Sequence, residues 1–147
     1  EGGSVPALFS CDGDNTSPHL AWSDVPVGTQ SLALTMDDPD ISEVGKKRLG
    51  VDVFDHWVLY DISPSTTKIS KGGSAGVEGA NTSGKSGYTG PCPPDREHRY
   101  FFKLYALDAI LDLPAGATKA QAESAMAGHI LEQATLLGRY QRPNKGV

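Results

Sequence analysis

The stretch GYTGPCPPDREHRYFFKLYALD, residues 87–108, decides the fold prediction. Its first half carries three prolines, which lack an amide donor and restrict the residue before them, so it can be neither a helix nor a central strand. Its second half, residues 98–107, is an aromatic-rich run typical of a β-strand. Because strand side chains alternate between faces, His98 and Tyr100 should point to the same side, directly after a stiff loop.

Two other segments are predicted as strands. Residues 31–37 are apolar at alternate positions and end at the tripeptide Asp38-Pro39-Asp40, whose simplest interpretation is a turn. Residues 53–62 are dense in β-branched and aromatic residues. Alternation places His56 in an apolar row on the same face as Val58. A lone histidine in such a row is more often a hydrogen-bonded core residue than a ligand, unless other polar groups converge on it.

A helix is predicted near the C-terminus. Residues 118–121 resemble a capping box, and the residues from Ala122 to Leu137 include a set of apolar and small residues at helical spacing. The helix is therefore expected to run to Gly138, with one face of small residues lying on a sheet.

The glycine-rich segment 65–90 is predicted as one long loop, and it contains a match to the phosphate-binding pattern GxxxxGK(S/T) at residues 79–86. That pattern works only between a buried strand and a helix whose N-terminus faces the phosphates. Glycines precede the match, and Gly87, Gly90 and Pro91 follow it, which disfavours a helix. Nucleotide hydrolysis by this segment is not predicted.

Composition limits the class of protein. A chain of 147 residues that is 38% hydrophobic and 21% charged is typical of a single globular domain, residues 1–147. A net charge of -5 without a long basic patch argues against nucleic acid or an anionic membrane surface as partner. No apolar run approaches the roughly 20 residues that span a bilayer. The sequence does not open on a signal-peptide pattern, so a cytoplasmic location is expected, with the periplasm as the alternative if such a peptide was removed.

The two cysteines, Cys11 and Cys92, lie far apart in sequence, which excludes a CxxC redox pair and a four-cysteine zinc site. A disulfide, two inert thiols and a reactive Cys92 all remain open. No serine is tied to His56 or His98 by a known spacing, so Cys92 is the single credible candidate nucleophile. A metal site of Asp38, His56 and His98 lacks HxH or HExxH spacing. We therefore predict no enzyme activity, no cofactor and no metal.

Three polar sets stand at predicted strand ends: Asp38 with Asp40, then His56, then His98 with Tyr100. If they converge, they offer imidazoles, carboxylates and a phenol, which can donate to a phosphate and accept from an ammonium group. Because Asp38 repels an isolated anion, a zwitterionic or amine-bearing phosphate suits such a site better.

The order of several short motifs resembles the phosphatidylethanolamine-binding protein family, also called Raf kinase inhibitor-like proteins, in its shorter prokaryotic branch. The similarity covers nearly the whole chain, from about residue 5 to residue 142. The motifs that carry it are CDG at 11–13, SPHLAW at 17–22, DPD at 38–40, HWVLY at 56–60, GYTGPCPP at 87–94, HRYFFKLYALD at 98–108 and GRYQR at 138–142.

The resemblance implies a mainly β (α+β) sandwich, in which a large central antiparallel sheet packs on a smaller sheet and a C-terminal helix lies at the periphery. It also implies a small anion pocket at the end of the sheet, with Asp40 at its rim, an Arg99 ion pair bracing the turn, and a cis peptide bond beside the acids and prolines. Carried over by position, the ligand-binding residues are Asp38, His56, Pro91, Pro94, His98 and Tyr100.

The function implied is that of a non-enzymatic binding protein for a small anionic or phosphate-bearing ligand similar to phosphoethanolamine. The alternative is an interaction protein that inhibits a protease or kinase through a surface loop, and a homodimer is a further expectation. The sequence departs from the family pattern at Ile41-Ser42 and at Asp95-Arg96-Glu97. Both departures lie at the expected pocket mouth, so they affect the choice of ligand more than its class.

Overall fold

Five antiparallel strands form the main sheet of the computed structural model, which describes residues 2–143. A smaller sheet pairs two short strands, and two short α-helices and a 3-10 turn at Ala7–Phe9 complete the fold. In chain order the elements are β1 (Leu20–Ala21), β2 (Ser31–Asp38), α1 (Glu43–Leu49), β3 (Phe54–Ile62), β4 (Lys68–Ile69), β5 (Val77–Glu78), β6 (His98–Leu107), α2 (Lys119–Met126) and β7 (Ile130–Tyr140). The main sheet has the order β5-β3-β2-β6-β7, and the smaller sheet pairs β1 with β4.

Apolar side chains cover both faces of the main sheet. On one face, Leu32 and Trp57 pack with Ile69 of the smaller sheet. On the other face, Tyr60 packs with Met126 of α2. Removing these side chains from water supplies the main driving force for stacking the layers. The predicted sandwich of a large sheet on a smaller one, with a helix at its periphery, is confirmed.

The three long predicted strands are confirmed within one residue at each end. β2, the central strand, is buried along its whole length, and β6 begins at His98 as expected. The phosphate-loop match at residues 79–86 is followed by a further loop, and Ala80 pairs with Ser86 in an isolated bridge. Residues 65–90 are not the single long loop predicted, because β4 and β5 lie within them. β5 ends directly before the match but has two residues and is not buried, and no helix directly follows the match, so the flanks that phosphate binding requires are not present in this part of the described chain.

The predicted C-terminal helix is wrong beyond Met126. Thr118 and Gln121 form the expected reciprocal capping box, but the helix ends after eight residues. Gly128 then takes a left-handed φ of +81°, which redirects the chain, and residues 130–140 form β7 along the whole of β6. Without β7, one side of β6 would present a row of unpaired backbone groups, and pairing them outweighs the local helical preference.

Candidate functional site

The polar residues at three strand ends meet at a cavity of about 540 Å³. The last residue of β2 and the first residues of β3 and β6 lie at the same end of the sheet, because antiparallel neighbours run in opposite directions. Asp38, His56 and His98 therefore converge on the cavity, and Pro94 and Tyr100 also line it. Five of the six predicted ligand-binding residues are thus brought together.

The sixth residue, Pro91, is buried in the loop and does not line the cavity. Its carbonyl oxygen accepts a hydrogen bond of 3.1 Å from the amide of Cys11, behind the wall that Pro93 and Pro94 form. Gly90, which precedes this wall, lies so close to Phe9 that an added Cβ would come within 2.1 Å of the Phe9 carbonyl oxygen. A glycine is required there because the two backbones approach closely.

A disulfide joins Cys11 to Cys92. Of the three states that the sequence left open for the cysteines, the structure therefore has the disulfide. Cys92 is excluded as a nucleophile because nucleophilic attack requires a free thiolate. The bond also ties the proline loop to the N-terminal segment, since Cys92 itself lines the cavity. The loop wall is therefore held covalently as well as by its prolines.

A β-bulge turns His56 toward the cavity. In the pairing of β2 with β3, one step along β2 spans two steps along β3, which leaves His56 as the extra residue between Asp55 and Trp57. The His56 ring consequently contacts the Tyr100 ring edge-on, with centroids 5.3 Å apart. The predicted placement on the face of Val58 is wrong, because a bulge shifts the two-residue alternation by one position.

Burial lowers the pKa of His56 to about 4, so the imidazole is neutral at neutral pH. Its Nδ1 donates to the carbonyl of Thr89 at 2.7 Å, and the Thr89 amide donates to the His56 carbonyl at 3.0 Å. This tautomer leaves Nε2 as an acceptor facing the cavity. Thr89 was not predicted, and a threonine in a loop gives no sequence signal for such a contact.

His98 lies between two carboxylates. Its Nδ1 is 2.6 Å from Asp38 Oδ2, and its Nε2 is 2.7 Å from Asp95 Oδ1, while the side chain is only 2% exposed. An ionised carboxylate only accepts, so with both carboxylates ionised the two ring nitrogens both donate and the ring carries a positive charge. Burial raises the pKa of Asp38 in spite of this bond, whereas the bond from His98 lowers the pKa of Asp95.

Asp40, two residues after the cavity residue Asp38, is braced by Arg99 and does not itself line the cavity. The guanidinium donates from Nε and Nη2 to the two Asp40 oxygens, each at 2.8 Å, and the Arg99 amide donates to the same carboxylate at 2.9 Å. These bonds hold the pKa of Asp40 down at about 2. The expected ion pair is present, and it fixes the acidic turn that carries Asp38, whose Oδ1 accepts from the Asp40 amide at 2.7 Å.

The Tyr100 hydroxyl is buried and has no hydrogen-bond partner among residues 2–143. Its ring contacts both imidazoles, since the His98 ring stacks on it at 6.4 Å between centroids. Burial raises the pKa of Tyr100 far above its usual value, so the phenol keeps its proton and remains a donor.

The cavity mouth is both apolar and basic. Helix α1 begins at its cap Ser42, which accepts from the Gly45 amide at 3.1 Å, and it presents Val44 and Arg48 to the mouth. Val44 is 76% exposed. From the C-terminal segment comes Arg142, which also lines the cavity and is ion-paired with Asp12. Sequence reasoning located the departure at Ile41-Ser42 but did not predict this helix.

Three further observations concern peptide-bond geometry, metal binding and membrane spanning. All peptide bonds in the described part of the chain are trans, so the expected cis bond is wrong. Within residues 2–143, no group of three His, Cys, Asp or Glu side chains is arranged to hold a metal ion. The longer of the two helices has eight residues, and neither could cross a bilayer.

A sandwich of this kind, with a polar cavity at the end of its large sheet, belongs to the ligand-binding β proteins. The sequence model of the family described as phosphatidylethanolamine-binding protein matches residues 1–141, and the chain belongs to that family. Membership confirms the resemblance drawn from the motifs and the general role of a ligand-binding protein.

Relatives of known sequence and structure are similar over almost the whole chain. A UPF0098 protein of Methanothermobacter thermautotrophicus is 44% identical over 147 residues, which cover 95% of this chain and 92% of the relative. The lipoprotein LppC of Mycobacterium tuberculosis is 39% identical over 96% of this chain and 68% of its own length.

Two solved structures share the fold. A phosphatidylethanolamine-binding protein homologue of Chlamydia trachomatis superposes with a TM-score of 0.91 at 40% identity, over 97% of this chain and 92% of the other. YbcL of Escherichia coli, described as a new member of the mammalian family, gives 0.84 at 28% identity, over 97% and 93%.

Proposed function

We propose that the chain is a non-enzymatic binding protein whose cavity takes a small ligand bearing a phosphate or a related anionic group, such as phosphoethanolamine. The observation that carries the proposal is the buried Tyr100 hydroxyl, which has no partner within the described residues and contacts two imidazole rings. An unpaired buried donor costs roughly 1–3 kcal/mol, and a ligand oxygen that accepts from it would remove that cost.

The other cavity groups favour a ligand of mixed charge. Tyr100 donates, whereas the neutral His56 accepts through Nε2, and Asp38 is an acidic group on the floor. Arg48 and Arg142 at the mouth attract an anion toward this floor. A phosphate joined to an amine or hydroxyl group therefore fits the set better than a bare anion does.

The non-enzymatic character is part of the proposal. The sulfur of Cys92 is held in a disulfide, and His56 and His98 are already bonded to Thr89 and to carboxylates, not to a hydroxyl nucleophile. The alternative of a protease or kinase inhibitor gains no support from any particular loop of residues 2–143, so it is not developed. A homodimer stays an expectation, which sedimentation analysis would check.

We further propose an oxidising compartment, such as the periplasm, in place of the cytoplasmic location expected from the sequence. The Cys11–Cys92 disulfide supports this placement, because such bonds form and persist mainly where thiols are not kept reduced.

Calorimetric titration tests the proposed function. Wild-type protein should bind phosphoethanolamine, and Tyr100→Phe, which removes a single hydroxyl, should weaken binding by about ten- to 150-fold, since the lost hydrogen bond goes to a charged acceptor. His56→Ala and His98→Ala should weaken it as well. Tyr105→Phe is the matched control, because Tyr105 lies on the same strand but in the cluster packed against α2.

Two outcomes would contradict the proposal. Failure of the wild-type protein to bind any of several small phosphates would refute the ligand class. Equal affinity in wild-type protein and Tyr100→Phe would refute the role of the hydroxyl.

A further inference from the structure

Asp95 occupies the position on His98 that an anionic ligand would use. We propose that the Asp95 carboxylate competes with ligands for this position. Asp95 must leave His98 before an anion binds there, and this requirement favours zwitterionic over simple anionic ligands. The inference rests on the proposed function, because it assumes that the cavity binds a phosphate.

The contacts of His98 leave one position for exchange. Asp38 takes the Nδ1 hydrogen at 2.6 Å on the buried side, where its own side chain is 4% exposed. Asp95 takes the Nε2 hydrogen at 2.7 Å, and its side chain is 38% exposed. Both ring nitrogens of His98 are therefore occupied, so a ligand that hydrogen-bonds to this ring must replace one of the two carboxylates, and Asp95 is the more exposed of them.

Charge makes the closed arrangement unfavourable for an anion. One imidazolium lies between two carboxylates, so the three side chains together carry a net negative charge. When Asp95 turns away, His98 and Asp38 remain as a neutral pair with a free Nε2 donor, on a ring that stacks on that of Tyr100. The same ring then binds an anion that the closed arrangement repels.

Asp95 can leave without disturbing the sheet. It precedes β6, and its remaining contact is a hydrogen bond of 2.9 Å from the next amide, that of Arg96, to its own Oδ1. The loop itself is tied elsewhere, through the Arg96 guanidinium to the Asp40 carbonyl at 3.2 Å. A side-chain rotation of Asp95 is therefore enough to free Nε2, while Asp38 keeps the ring in place.

This exchange sets the preference among ligands. Inorganic phosphate must displace the Asp95 carboxylate and leave it without a charged partner at the mouth. A zwitterion displaces it with its phosphate and offers its ammonium group to the released carboxylate. Phosphoethanolamine should consequently bind more tightly than phosphate in the wild-type protein, and the difference should shrink when Asp95 is removed.

The test titrates inorganic phosphate and phosphoethanolamine into wild-type protein, Asp95→Ala, Asp95→Asn and Glu97→Ala. Asp95→Ala should bind phosphate about tenfold more tightly than wild-type protein. In this variant phosphate no longer has to break the partly exposed, charged hydrogen bond between Asp95 and His98. Its gain for phosphoethanolamine should be smaller. Asp95→Asn keeps a hydrogen-bond acceptor but no charge, so its affinity for phosphate should lie between those of wild-type protein and Asp95→Ala. Glu97→Ala removes an equal charge from the same segment and should leave the preference unchanged.

The outcomes separate the inference from the proposed function. If wild-type protein and Asp95→Ala bind phosphate equally, or if Glu97→Ala has the same effect as Asp95→Ala, the inference is overturned and the proposed function stands. If none of the four proteins binds either ligand, both fail. Binding by Asp95→Ala alone would support the inference and refute ligand binding by the wild-type site. Thermal melting of each variant shows that all four proteins are folded.

Discussion

The depressed pKa of His56 predicts that the protein loses stability in mildly acidic solution. The folded chain keeps this imidazole neutral down to about pH 4, because the ring is 5% exposed and burial disfavours its charged form. In the unfolded chain the ring should titrate near the ordinary value of about 6.5. Between these two values the unfolded state binds a proton that the folded state does not bind, so the free energy of unfolding falls as the pH falls.

The size of the effect follows from the gap between the two pKa values. One pKa unit corresponds to about 1.36 kcal/mol, so a gap from about 6.5 to about 4 gives a full loss of roughly 3 kcal/mol. Near pH 5 about two thirds of that loss, roughly 2 kcal/mol, should already be present. This is a large fraction of the stability of an ordinary domain.

Urea unfolding of wild-type protein and His56→Gln at several pH values between about 7.5 and about 4.5 measures this contribution. Glutamine can still donate to the Thr89 carbonyl but binds no proton. The difference in unfolding free energy between the two proteins should therefore change by roughly 2.5 kcal/mol across the range, in favour of the variant at low pH. Contributions from other titrating groups cancel in this difference.

His19→Gln is the matched control, since it removes one exposed imidazole and keeps His56. It should retain the acid sensitivity of the wild-type protein. A constant difference between wild-type protein and His56→Gln over the whole pH range would refute the assignment of a neutral, buried His56.

Two further predictions concern the elements that hold the site. Asp40→Asn should lower the unfolding free energy by about 1 kcal/mol at pH 7, a small value because Arg99 is partly exposed. Because the pKa of Asp40 is depressed to about 2, this difference from wild-type protein should vanish as the pH falls from about 4 through about 2. Urea titrations at pH 7 and near pH 2 would measure the difference. Cys11→Ala with Cys92→Ala should cost roughly 2–4 kcal/mol, because the disulfide closes a sequence separation of 81 residues, and urea unfolding measures this loss. Intact mass after alkylation at cell lysis checks the compartment as well: free thiols in most of the protein would contradict an oxidising location.

Local pattern was enough to predict the three long inner strands of the large sheet but not its edge strands β5 and β7. The long strands β2, β3 and β6 are rich in apolar, β-branched and aromatic residues with turn signals at their ends, so propensity and burial agree. In residues 130–140 they disagree. The segment contains residues at helical spacing, and only the unpaired side of β6 makes it a strand. A requirement that arises in a distant segment cannot be read from the local sequence.

The same distinction applies to the cavity. Strand ends carrying Asp38, His56 and His98 could be expected to converge once their strands were paired antiparallel. The bulge that turns His56 toward Tyr100 could not, because it depends on a one-residue mismatch between two strands.

The role of Asp95 depends both on the sequence and on the three-dimensional structure. The sequence showed that residues 95–97 differ from the family pattern. The effect of this difference is seen only in the structure, where Asp95 Oδ1 lies 2.7 Å from His98 Nε2. A carboxylate three residues before a strand histidine reaches back to that ring only because Asp38 fixes the ring from the other side at 2.6 Å. The acidic turn and the segment 95–97 therefore act on one imidazole, each through one of its two ring nitrogens.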